Sequence, residues 1–258
     1  MQMIRTLVMG AGAAGAAGVA IIAQPDGNLE QRGAADGANE ICLKNELPLF
    51  EGATAKCYSR EDLNALGDSP VVDMQGRPVT LSMAHPTDMS IAPADCRTCR
   101  DFGEMSFDGW YAMSSRDMRR EAYFVRACGT LAALKNAQLA KTSFFVNGSP
   151  DAEQVANMAT NMKFGEAAPT RDELRVEKEA GDVWRISSAA MTVQFREIAN
   201  DDFDNDGIEE ILVFTAGAPE GGTASFYDAG LLEKDAADAV LAFTPLAFGR
   251  SGASGAGL

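Results

Sequence analysis

Residues 191–214 read MTVQFREIANDDFDNDGIEEILVF, and this stretch decides the fold class. Apolar Met191, Val193 and Phe195 alternate with polar residues, which is the period of a half-buried β-strand. Residues 211–214 are apolar at every position, which indicates an inner strand that is buried on both faces. The stretch therefore predicts two strands that flank an acidic loop.

The loop between these strands is the segment that carries recognisable chemistry. Asp202, Asp204 and Asp206 stand at alternate positions before a glycine, so their carboxylates surround one point as the chain turns. The carbonyl of Ile208 can add a ligand, and Glu210 can close the shell. A shell of oxygen atoms suits Ca²⁺, which is therefore the predicted cofactor. The alternative is a solvated acidic turn, because Asp, Asn and Gly also favour turns.

This D-x-D-x-D-G pattern resembles the calcium loops of EF-hand proteins, dockerins and FG-GAP repeats. The EF-hand family carries a Glu at the twelfth loop position, which is Val213 here, and its flanks are helices. The FG-GAP loop is more similar, because its closing acid is the ninth residue, here Glu210. That resemblance implies a ligand set of Asp202, Asp204, Asp206 and Glu210 with the Ile208 carbonyl. Since the loop occurs once, the resemblance does not imply a multi-bladed propeller.

Strand patterns continue on both sides of the loop. A turn at residues 180–182 predicts a hairpin, and residues 226–232 predict a further strand. Thr170 with Glu173 can instead cap a helix over residues 171–179. Residues 71–83 predict another hairpin, nearer the N-terminus.

Helical patterns dominate the middle of the chain. Residues 59–62 resemble a capping box, residues 93–95 can start a helix that carries Cys96 and Cys99, and longer helices can start near residues 114 and 150. The sequence therefore predicts an α+β fold. A helical middle segment packs on a small, mainly antiparallel C-terminal sheet, and the N-terminal part is rich in loops.

The chain divides into five parts by composition. Residues 1–23 have the single basic residue and the apolar run of a secretory signal peptide, with an uncleaved anchor as the alternative. We expect a flexible N-terminus over 24–40, a loop-rich and helical part over 41–168, a β-rich part with the calcium loop over 169–248, and a flexible tail over 249–258. We predict no membrane span after signal removal, and a periplasmic or secreted location.

The net charge of −15 argues against a nucleic-acid partner, because that surface needs clustered Lys and Arg. Residues 197–233 hold ten acidic residues and no Lys or Arg, so much of the negative charge is local to the predicted cation loop. The single histidine, His85, excludes metal sites that need two histidines.

Export permits disulfides, and the odd number of cysteines leaves at least one cysteine without a disulfide partner in the chain. A Cys42–Cys57 bond would close a short loop, and Cys128 can then pair with Cys96 or Cys99. Cys96 and Cys99 also form a Cys-x-x-Cys pair, for which a structural disulfide is the favoured interpretation and a redox pair the alternative.

The sequence predicts an exported, calcium-binding, non-enzymatic envelope protein with a structural or interaction role. Its partner would be a protein or a polymer of unknown identity. A general base is not found beside the loop, so we expect the cation to hold structure rather than to catalyse. The alternative is an exported enzyme, either a hydrolase that uses His85 or a thiol–disulfide oxidoreductase that uses Cys96 and Cys99.

Overall fold

A computed structural model describes residues 40–162, 168–222 and 225–246 of the protein. The predicted signal peptide (1–23), the flexible N-terminus except for its last residue (24–39) and the flexible tail (249–258) lie outside these residues. Those three assignments stay predictions. In the part that is described, no helix combines the length and the apolar character needed to cross a bilayer.

The C-terminal part is a six-stranded antiparallel sheet in which each strand pairs with its neighbours in sequence. The strands are β6 (Arg175–Glu179), β7 (Val183–Ser187), β8 (Met191–Asp201), β9 (Glu210–Pro219), β10 (Phe226–Glu233) and β11 (Ala242–Pro245). The spatial order β11-β10-β9-β8-β7-β6 is a meander. It confirms the antiparallel C-terminal sheet of the predicted α+β fold.

Strand β9 is buried on both faces, as its sequence indicates. Leu212 and Phe214 pack in one hydrophobic cluster with Phe124, whereas Ile211 and Val213 pack in a second cluster on the other face of the sheet. Antiparallel neighbours β8 and β10 flank β9, so its backbone is also covered at both edges. This central strand begins at Glu210, the last residue of the acidic loop.

Two glycines of the sheet are covered by aromatic rings from the next strand. Phe226 on β10 lies over Gly217 on β9, and Phe243 on β11 lies over Gly230 on β10. A Cβ atom at either glycine would overlap the ring. The rings replace the side-chain packing that glycine lacks.

Four α-helices form the middle of the chain: α1 (Arg60–Leu66), α2 (Cys99–Phe107), α3 (Ser115–Asn136) and α4 (Ala152–Thr160). Ser59 and Asp62 form the predicted capping box of α1, and Ser114 and Asp151 cap α3 and α4. Phe124 of α3 lies in the first hydrophobic cluster, which draws residues from 41–137 and from 198–231. The helical middle and the sheet therefore share one core.

Two small sheets complete the N-terminal part. Strand β1 (Glu40–Cys42) pairs with β2 (Cys57–Ser59), and β3 (Leu81–Ala84) lies between β4 (Ala94–Cys96) and β5 (Tyr111–Ala112). The remaining segments are turns and loops, which agrees with the loop-rich part expected there.

Three local predictions were wrong or incomplete. Residues 94–96 are strand β4 rather than a helix, because Cys96 faces the core opposite Leu81 and the capping box of α2 starts only at Thr98. Residues 71–83 form a turn closed by a Val72–Pro78 bridge, but β3 then pairs with β4 and β5. The Thr170 capping box starts a single 3₁₀ turn, after which β6 follows.

Candidate metal centre

The acidic loop lies at the turn between β8 and β9. Asp202, Asp204, Asp206 and Glu210 each place a carboxylate oxygen within 4.8 Å of the other three. The structure therefore brings together four of the five residues predicted as ligands. Ile208 lies in the same turn, and its role as a carbonyl ligand stays a prediction.

The four carboxylates differ in exposure. Asp202 and Glu210 are only 4% and 3% exposed, whereas Asp204 and Asp206 are exposed to solvent. A cation held by all four would therefore have buried ligands on its inner side and exposed ligands on its outer side.

Backbone amides fix the shape of the loop. The two oxygens of Asp202 accept hydrogen bonds from the Asn205 N–H at 2.7 Å and the Gly207 N–H at 2.9 Å. The Asp206 N–H donates to Asp204 at 3.0 Å, and the Ile208 N–H donates to Asp206 at 2.7 Å. These bonds fold the side chains of alternate residues back onto the backbone of the loop. The alternate spacing of the acids therefore brings their carboxylates close together.

Two loop residues adopt left-handed backbone conformations. Asn205 has φ of 70° and Gly207 has φ of 92°. Both residue types tolerate positive φ, and glycine does so without a steric cost. The glycine of the D-x-D-x-D-G pattern is therefore required by the backbone.

Glu210 has the most perturbed electrostatic environment of the cluster. The pKa of its carboxyl group is raised to about 8, mainly by burial and also by the nearby carboxylates of Asp204, Asp206 and Asp202, against a hydrogen bond from the Phe203 N–H that lowers it. That N–H lies 2.6 Å from Oε2. A cation at the cluster would offset both the burial and the repulsion.

A connector between α3 and α4, residues 137–149, holds the loop against the helical part. Gln138 and Asp202 exchange backbone hydrogen bonds at 2.7 and 3.0 Å, and the Lys141 and Thr142 amides both donate to the Gly207 carbonyl. The Glu209 N–H in turn donates to the Thr142 carbonyl at 2.8 Å. Sequence reasoning missed this contact, because the connector has no strand period that would predict it.

A buried ionic network lies next to the connector. Glu197 on β8 is fully buried, and its carboxylate accepts hydrogen bonds from Lys44 Nζ at 2.7 Å, Ser149 Oγ at 2.6 Å and Trp184 Nε1 at 2.9 Å. Lys44 Nζ also donates to the Gly148 carbonyl at 2.6 Å. The network ties the N-terminal part and the end of the connector to β8, and sequence reasoning did not identify it.

The five cysteines form two disulfides and one thiol. Cys42 bonds to Cys57 across β1 and β2, as expected. Of the two partners that the sequence allows for Cys128, the structure forms the bond with Cys99. Cys96 is free and buried, and burial raises the pKa of its thiol to about 12, with a further contribution from Asp101. The structure therefore does not form the Cys96–Cys99 pair that either a local disulfide or the redox alternative requires.

His85 closes a turn after β3. Its Nδ1 accepts a hydrogen bond from the Asp88 N–H at 3.1 Å, and its ring packs edge-on against Trp110 at 5.2 Å between centroids. These contacts are those of a residue that shapes a loop.

Comparison with known proteins finds no match for this chain among protein-family models, curated proteins or solved structures. Function is therefore inferred from the geometry of the cluster and its surroundings.

Proposed function

We propose that this is an exported, calcium-binding envelope protein without enzymatic activity, in which Ca²⁺ pins the β8–β9 loop. Its role would be structural or one of interaction with a protein or polymer. The cation would hold the loop to the central strand on one side and to the connector on the other.

One observation carries the proposal: four carboxylates lie within 4.8 Å of one another at a turn, and two of them are buried. Burial of like charges without a counterion is costly, so a bound cation stabilises the folded state. All four side chains of the cluster offer carboxylate oxygens, and the Ile208 carbonyl is the predicted fifth ligand. This donor set suits Ca²⁺, which accepts six or more oxygens in flexible geometry, better than metals that prefer nitrogen or sulfur.

The location is supported by the cysteines and by the sequence of the first residues. Two disulfides persist in an oxidising compartment and are rare in the cytosol. The signal-peptide pattern of residues 1–23 leads to the same compartment. Extracellular and periplasmic fluids also supply calcium at concentrations that weak loop sites can use.

A structural role is favoured over a catalytic one by the surroundings of the candidate catalytic residues. His85 Nδ1 accepts a hydrogen bond from a backbone N–H, and the Cys96–Cys99 pair that the redox alternative requires is not formed. The loop is instead contacted by backbone amides of the connector, so a cation there would fix how two parts of the fold meet.

Isothermal titration calorimetry with Ca²⁺ tests the proposal. The unaltered protein should bind one Ca²⁺, and binding to Mg²⁺ should be weaker because Mg²⁺ requires a smaller octahedral shell. The double variant Asp204→Asn with Asp206→Asn should lose binding, since Asn keeps the hydrogen-bond acceptor but removes the charge.

The matched control removes the same charge elsewhere. Asp172→Asn with Glu220→Gln changes two exposed acids outside the cluster and should bind Ca²⁺ as the unaltered protein does. Absence of binding heat and of any shift in the melting temperature with the unaltered protein would refute the proposed calcium site.

A further inference from the structure

A cavity of about 670 Å³ lies among α1, α2 and α3, away from the acidic loop. The Cys99–Cys128 disulfide forms part of its wall, and both cysteines are only partly buried. The disulfide therefore borders a solvent-accessible cavity of the folded protein. Access of this kind is the first requirement for thiol–disulfide exchange.

The net charge of the cavity wall is opposite in sign to the net charge of the protein. Arg100 and Lys135 line the cavity together with one acid, Asp68, which lies 2.6 Å from Arg100. The lining thus carries two positive charges and one negative charge, in a chain whose net charge is −15. The local field favours the approach of a negatively charged molecule.

We propose that Cys99–Cys128 is a thiol–disulfide exchange site whose substrates are small thiols that carry a carboxylate. The exchange is stoichiometric rather than catalytic, because it leaves the protein disulfide reduced, and it is independent of the calcium site. It also differs from the redox pair considered from the sequence, because Cys128 rather than Cys96 is the partner of Cys99.

The secondary structure sets the direction of the reaction. Cys99 is the first residue of α2, where the helix N-terminus stabilises a thiolate, whereas Cys128 lies within α3. Cys99 is therefore the better leaving group. The incoming thiolate attacks the Cys128 sulfur, so a bond forms between the two sulfurs while the Cys99–Cys128 bond breaks and its electron pair stays on Cys99.

A second molecule of the same thiol completes the reduction. Its thiolate attacks the external sulfur of the mixed disulfide, and Cys128 leaves as a thiolate. The thiolates of Cys99 and Cys128 take up, through water, the two protons that the small thiols lost on ionisation. In sum, two small thiols are oxidised to one disulfide, and the protein disulfide is reduced to two thiols.

The other three cysteines of the chain serve as internal controls for the experiment. Cys96 is fully buried and its pKa is raised to about 12, so it stays an unreactive thiol while the fold is intact. Its modification therefore reports unfolding. The Cys42–Cys57 disulfide, in the small sheet of β1 and β2, reports the reactivity of a second disulfide in the same molecule.

The probes are mercaptoacetate, which is anionic, and 2-mercaptoethanol, which is neutral. The protein is treated in native buffer, quenched with an alkylating reagent, digested and analysed by mass spectrometry. Rates are divided by the thiolate concentration of each probe. We expect the first adduct on Cys128, followed by free Cys99 and Cys128, while Cys96 stays unmodified and Cys42–Cys57 reacts at least about tenfold more slowly.

Charge substitutions test whether the cavity prefers the anionic probe. Mercaptoacetate should react about two- to fivefold faster than 2-mercaptoethanol, and Arg100→Gln with Lys135→Gln should remove this difference. Arg97→Gln with Arg116→Gln removes two positive charges from exposed residues outside the cavity lining and should keep it.

Four results would overturn the proposal. Modification of Cys96 at the same rate as Cys99 would mean that reduction follows unfolding. Reduction of Cys42–Cys57 at an equal or faster rate, a first adduct on Cys99, or equal reactivity of the two probes in the unaltered protein would each also contradict it.

Discussion

Replacement of Glu210 by glutamine separates the two effects that a cation site has on stability. Glu210 is 3% exposed, and its Oε2 accepts a hydrogen bond from the Phe203 N–H at 2.6 Å. Glutamine has the same size and keeps an acceptor oxygen for that bond. The substitution therefore removes charge and a metal ligand but little packing.

Without calcium, the Glu210→Gln variant should be the more stable protein at pH 7. The folded pKa of Glu210, about 8, lies above its ordinary value of 4.5, so the folded state binds the extra proton between these values. The free energy of unfolding consequently falls as the pH rises from 4.5 to 8, and the variant, which has no carboxyl group to titrate there, would escape most of this loss. Allowing for solvent screening, we expect a gain of about 1–2 kcal/mol.

With calcium, the order should reverse. At a calcium concentration of about 100 times the dissociation constant, binding adds about 2.7 kcal/mol to the stability of the unaltered protein. If the loss of one buried carboxylate weakens binding about 100-fold, the same calcium concentration adds only about 0.4 kcal/mol to the variant.

Urea unfolding in EDTA and in calcium measures both quantities. Glu209→Gln is the matched control, because this neighbouring acid contacts Ser143 and Asn200 and lies outside the four-carboxylate cluster. The control should keep the full calcium increment. An equal increment in Glu210→Gln would refute Glu210 as a ligand, and a large loss of stability in EDTA would refute the repulsion argument.

Two further substitutions test the contacts that join the parts of the fold. Lys44→Met removes the cation that lies 2.7 Å from buried Glu197, so urea unfolding should show a loss of about 3–5 kcal/mol; a loss below about 1 kcal/mol would mean that the carboxylate is compensated by its other donors. Ser59→Ala removes the N-cap acceptor of α1 and should lower stability by about 1 kcal/mol in thermal unfolding, whereas an unchanged melting temperature would contradict the capping-box argument.

The features that the sequence predicted well are local. The capping box at Ser59, the hairpin turn at Gly181 and the four clustered carboxylates each depend on residues that are close together in the chain. The burial of β9 on both faces could also be predicted, because four consecutive apolar residues cannot all face one side of a strand. In each case the physical cause acts over a few residues.

The features that were missed depend on distant segments. The inward direction of Glu197 follows from its spacing of two from Phe195, yet nothing in the strand pattern identifies Lys44 and Ser149 as its partners. The choice of Cys99 as the partner of Cys128 likewise depends on how α2 packs beside α3. Such contacts are set by tertiary packing, which overrides local pattern.

The meander has a consequence for the order in which the chain folds. Each of its strands pairs with the strand made just before or after it, so the sheet can form by adding one hairpin at a time. The segment after β1 is different: the Lys44 N–H donates to the Ile198 carbonyl, and Lys44 and Glu197 are 153 residues apart. The first strand can thus pair with β2 at once, but it reaches its place beside β8 only after most of the chain has been made, and until then its apolar residues must be kept from other partners.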